Sequence, residues 1–197
     1  MENSALDWDF EAARASAPHA LIMVGFIVAF SIWFGFAWGM AGWILFAVVM
    51  IGAVYILVGS LKNRELSKSV GNDRTSDVVR IERSIGFLVG VTYATILIVV
   101  ILMLVLEVAM FIVPFITLVM GIHFLLQAPI MNRRFDYYIA PLPLISSCIA
   151  AYIAFQPDAS LYTVYAIAGL GGVAAALIYG YYVIDTYRKL AKSRKAA

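Results

Sequence analysis

Long apolar runs alternate with short polar breaks along the chain. The runs fall at about 20–38, 41–61, 84–106, 109–131, 137–155 and 161–184. Each is close to the roughly 20 apolar residues that a helix needs to cross a bilayer core. The pattern predicts an all-α, polytopic bundle of six transmembrane helices arranged as three hairpins. Between the first two runs stand Gly39, Met40 and Gly42, flanked by Trp38 and Trp43. Tryptophan favours the headgroup level, so a tight turn at a membrane face is expected there. The stretch 84–131 is too long for one span. Glu107 is its only charge, and Pro114 pushes its predecessor out of the helical region. The break is therefore expected between Leu106 and Pro114. Gln156-Pro157-Asp158 predicts another turn.

Polar residues are confined to the ends and to a few connections. An acidic segment, 1–19, carries Glu2, Asp7, Asp9 and Glu11 against Arg14. Such a start is unlike the basic beginning of a secretory signal peptide, so the segment is expected to be retained. Leu6, Phe10, Ala13 and Ala17 recur at helical spacing behind Ser4 as an N-cap. A short amphipathic helix is expected, docked on the loop 62–83. That loop holds Lys62, Arg64, Lys68, Arg74, Arg80 and Arg83, with a turn at Gly71-Asn72-Asp73. Ser76 and Asp77 read as the start of a helix that begins about two turns before lipid. The membrane domain is expected to span 20–185, followed by a basic tail at 186–197. With six spans, all 14 Lys and Arg residues fall on one side, opposite Glu107 and Asp158. Basic flanks stay in the cytoplasm on insertion, so both termini are expected inside. The compact layout suggests a prokaryotic cytoplasmic membrane.

Composition agrees and narrows the chemistry. The chain of 197 residues is 63% hydrophobic and 13% charged, with a mean hydropathy of +0.93. A soluble domain carries roughly 25% charge, so lipid must act as the solvent here. One cysteine, Cys148, permits no internal disulfide, and two histidines, His19 and His123, permit no multi-histidine metal cage. No metal or cofactor is expected, and no nucleic-acid partner. The serine-hydrolase, zinc-protease and P-loop patterns are missing, and no constellation predicts an enzyme.

The residues that stand out are therefore few. His123 is the one histidine inside a span, and Gln127 shares its face four residues on. Counted from Arg133, His123 sits about 10–15 Å into the membrane. An ionisable group at that depth must face the bundle interior. Its plainest role is a neutral imidazole bonded to a neighbouring helix, and its sharper one is ligand, proton or ion binding. Glu107 is either a turn marker or, with the break nearer Pro114, a buried carboxylate. Asp136, Tyr182 and Asp185 gather at the inner face, where Asp185 can pair with Arg188 or Lys189. These six residues form the candidate ligand-binding set. Ala168, Gly172, Ala176 and Gly180 make a small-residue stripe on the last helix, suited to close packing inside the chain or to a homo-oligomer seam. Gly52, Gly121 and Gly180 near the inner ends of alternate spans are compatible with a repeated hairpin.

The block Gly121-Ile122-His123-Phe124-Leu125, followed by Arg133, Arg134, Tyr137 and Tyr138, resembles a motif of small uncharacterised six-helix bacterial integral membrane proteins. The three-hairpin layout also resembles the HdeD acid-resistance membrane family. Both resemblances imply the fold and neither supplies an activity. The leading expectation is a bundle that binds or moves a small molecule, ion or lipid near His123 and Gln127. The alternative is a non-catalytic scaffold or accessory subunit acting through helix association.

Overall fold

The structure is a computed structural model, which describes residues 19–68 and 76–196. The acidic segment with Ser4, Leu6 and Phe10, and the turn at Gly71-Asn72-Asp73, lie outside the described residues. Among the described residues the fold is all-helical, without strands. Its elements are α1 (His19–Lys68), α2 (Ser76–Val105), a 3-10 turn (Ala109–Phe111), α3 (Ile112–Ile130), α4 (Phe135–Ile139), α5 (Pro141–Ala154) and α6 (Leu161–Ala196). Five helical stretches are long and apolar enough to cross a membrane: 20–63, 79–105, 109–130, 135–154 and 161–192.

The first of these is not one uninterrupted helix. Gly39 leaves the helical region with φ 57° and ψ −132°, a conformation a residue with a Cβ adopts only under strain. Three residues later, a Cβ on Gly42 would overlap the Phe34 carbonyl. The Phe36 and Trp43 rings also meet across Gly39, edge to face with centroids 5.6 Å apart. Both halves of α1 pack on α6. In the first half, Phe30 covers Gly169 and Gly172, while Trp33 meets Tyr162 and Tyr165. In the second, Gly52 faces Leu177, Ile56 covers Gly180 and Gly59 faces Ile184.

The small-residue stripe of α6 is thus spent inside the chain. Ala168 and Ala176 are fully buried, and Gly172 and Gly180 lie beneath Phe30 and Ile56. Of the two uses expected for the stripe, the single chain shows the packing one: the stripe is covered by α1. Backbones come close here because association of helices in lipid draws on packing more than on burial of apolar area. The glycines near the inner ends also meet unlike partners, Leu177, Leu144 and Ile56.

α2 and α3 are joined at the expected break. The Glu107 N–H bonds the Leu104 carbonyl and the Val108 N–H bonds that of Met103, which is a Schellman cap with Glu107 left-handed at φ 59°. α3 ends in the same way, with Asn132 at φ 48° and its neighbour Arg133 bonding back to Ala128. α4 and α5 follow almost in line. Ala140 stays helical at φ −51°, and the interruption reflects Pro141 and Pro143, which have no N–H to continue the ladder. Two serines of α5 tie it across the bundle: Ser147 donates to the Pro114 carbonyl at 2.6 Å and Ser146 to that of Ala168 at 3.2 Å.

α6 is the central helix, in contact with α1, α3 and α5. It runs on through residue 196 and so passes well beyond the expected end at 184. α2 is peripheral, packed on α3 and the 3-10 turn. Its most apolar stretch buries no residue in the bundle.

Candidate functional site

Because α2 leans on α3, a narrow cleft remains between it and the first half of α1. The cleft has a volume of about 40 Å³ and is partly open on one side. α1 supplies Ile22, Met23 and Phe26, α2 supplies Val89, Thr92, Tyr93 and Ile96, and α3 supplies the floor from Ile116 to Gln127. Tyr179 of α6 closes the inner end. Ile22 and Tyr93 are exposed at its mouth, and Gly25, Gly86 and Gly90 have open space before them. The cleft therefore opens sideways, toward the surroundings of the bundle.

Two groups of polar side chains meet this space. The first is His123 with Thr92, whose Nδ1 and Oγ1 lie 2.9 Å apart. The Thr92 hydroxyl donates to the Leu88 carbonyl one turn back, at 2.8 Å. A hydroxyl has one hydrogen, so its oxygen must accept from His123.

The second group lies below. Gln127 Nε2 donates to the Tyr179 hydroxyl at 2.8 Å. Arg133 donates to both oxygens of Asp136, at 3.0 and 2.9 Å, and to the Tyr179 hydroxyl at 3.0 Å. Its guanidinium carbon stands 5.1 Å from the Tyr179 ring centre and 5.5 Å from that of Tyr182, close enough for cation–π attraction. Burial works against the Arg133 charge. The Tyr179 oxygen and the Asp136 carboxylate outweigh it, and the pKa stands above the ordinary arginine value. Asp136 is fully buried and Arg133 nearly so. Their charges cancel.

The candidate residues therefore divide. His123 and Gln127 line the cleft together. Asp136 stands behind it, bonded to Arg133, which bonds Tyr179 and through it Gln127. Glu107 is exposed on the turn between α2 and α3, away from the cleft. Tyr182 and Asp185 line a separate, shallow groove with Phe135 and Tyr181, and Asp185 pairs with Lys189 at 2.7 Å on an exposed face. Thr92, Tyr93, Arg133 and Tyr179 were not legible as site residues. A histidine within a span calls for a hydroxyl partner, but Ser31, Thr92, Thr95 and Thr117 all qualify by sequence. No group of three or more His, Cys, Asp or Glu among the described residues is placed to hold a metal ion. Compared with family models, curated proteins and solved structures, the chain finds no match in any of the three.

Proposed function

We propose that the protein is a six-span integral membrane protein, with both termini inside, that binds a small membrane-soluble molecule in the cleft between α1, α2 and α3. The six-span count rests on α1. The 44 residues of its apolar stretch would rise about 66 Å as one helix, twice the roughly 30 Å hydrocarbon core. The contacts with α6 also change direction at Gly39. From Phe30 to Trp33 the partners on α6 descend from Gly172 to Tyr162, whereas from Gly52 to Gly59 they ascend from Leu177 to Ile184. That sequence of partners suits a chain that doubles back, and it keeps all the basic residues on one side.

The observation that carries the binding reading is the placement of the His123–Thr92 pair on the wall of a sideways-opening, otherwise apolar cleft. A polar pair in a span that serves packing alone belongs in a filled interior. Ligand sites are concave and mostly apolar, with a few placed polar groups, and an opening toward lipid admits a ligand dissolved in the bilayer. The Thr92 bond holds the imidazole in place on the cleft wall. Nothing here requires bond-making chemistry.

A photoreactive apolar probe dissolved in the membrane tests the cleft. Met120 is buried in the bundle yet lines the cleft, whereas Leu97 and Ile98 face outward from α2. Labelling of Met120 alongside the two outward residues is expected. Labelling of Leu97 and Ile98 with none at Met120 would mean a closed interior and would sink the proposal.

A further inference from the structure

Resting on that binding reading, we infer that the ligand is an uncharged single-chain amphiphile, its polar head at the level of His123 and Gln127 and its chain directed toward Ile96 and Ile116. Three features of the cleft lead there.

The first is charge. No residue lining the cleft carries a formal charge. The nearest ionic groups, Arg133 and Asp136, are bonded to one another through two contacts and sit behind Gln127 and Tyr179. A carboxylate or ammonium head in the cleft would have no counter-ion, and an unpaired charge in an apolar site is costly. A hydroxyl, ester or amide head avoids that cost and matches neutral partners.

The second is polarity along the length. His123, Thr92 and Gln127 cluster toward the inner end, where Tyr179 also lies, while the far end is closed by Ile96 and Ile116. An amphiphile of the inner leaflet has the same sense, head near the cytoplasmic surface and chain toward the bilayer centre. The third is shape. From Gln127 to Ile116 the floor rises about 16 Å at about 1.5 Å per residue, the extended length of roughly a dozen methylenes. The slot is narrow, and its apolar walls suit one chain.

The test compares three probes of equal chain length, dodecan-1-ol, dodecanoate and dodecyltrimethylammonium, at pH 8 with the full chain in lipid nanodiscs. Binding is read by native mass spectrometry and by the shift in thermal midpoint. Dodecan-1-ol is expected to bind saturably and to raise the midpoint, with both charged probes at least about tenfold weaker because their charge is buried unpaired. Ile96→Trp, which fills the far end from α2, is expected to abolish the dodecan-1-ol shift. Ile116→Trp does the same from α3, should the first variant fail to fold. Equal binding of dodecanoate and dodecan-1-ol, both blocked by the tryptophans, would overturn the uncharged ligand class while leaving the cleft as a site. Binding of dodecan-1-ol that neither tryptophan changes, or no saturable binding of any probe, would overturn this inference, and Met120 labelling then decides separately whether the cleft is open.

Discussion

Asp136 and Asp185 are two aspartates of one bundle, and their surroundings give them opposite weight. Asp136 is fully buried, gripped by both arms of Arg133. Removing it leaves a buried guanidinium with no counter-charge. Asp136→Ala is expected to cost about 3–5 kcal/mol, the range for breaking a buried ion pair from one side. Asp185 is about two-fifths exposed and its partner Lys189 about three-quarters exposed. Asp185→Ala is expected to change stability by less than about 1 kcal/mol, as for surface pairs generally. Thermal unfolding of both variants in one detergent checks the contrast. Glu107 offers a third case. It occupies a left-handed position that glycine fills without strain, so Glu107→Gly is expected to stabilise the protein by about 1 kcal/mol. A fall in the unfolding midpoint would show that the carboxylate has a role in the turn.

Among the elements, α1 and α6 form the most closely packed pair, and α2 is the most peripheral. Their glycines report the difference. A side chain at Gly172 would run into the Phe30 ring, and overpacking of a tight interface costs typically about 1–3 kcal/mol. Gly90 has open space in front of it. Gly172→Leu is therefore expected to lower the unfolding midpoint clearly and Gly90→Leu to leave it nearly unchanged. Helix positions were largely readable from the apolar runs, because spanning length and charge bias act locally. The break at Glu107 and the kink at Gly39 fall where the sequence marks them, each by a polar or flexible residue in an apolar field. How the helices are rotated about their axes was not. Thr92 meets His123 from 31 positions away and Tyr179 meets Gln127 from 52. Such pairings depend on packing across the bundle. Hence His123 and Gln127 could be singled out, while their partners could not, and Tyr182 with Asp185 turned out to border another groove.

For the whole molecule, the decisive question is the path of the chain through the membrane. Six crossings put Met40 on the outside and Asn132 on the inside. In a Cys148→Ser background, a cysteine at Met40, which is 77% exposed, is expected to react with a membrane-impermeant maleimide in intact cells. A cysteine at Asn132, also exposed, is expected to react only after permeabilisation. Equal accessibility of the two sites in intact cells would contradict the six-span path. The same path places the cleft in the inner half of the bilayer, where the polar ends of inner-leaflet molecules lie closest to His123.

If the proposed path holds, the brevity of its outer turns bears on how the protein is made. On the proposed six-span path, the segment that crosses between the two halves of α1 is Gly39-Met40-Ala41, with no charge to translocate. The α2–α3 turn carries only Glu107 and the α5–α6 turn only Asp158. A membrane potential that is negative inside helps a carboxylate outward by about 2.3 kcal/mol per charge per 100 mV. Collapsing the potential during synthesis should therefore leave insertion of the first pair untouched and slow the later two, with each acid-to-asparagine change removing the sensitivity of its own pair.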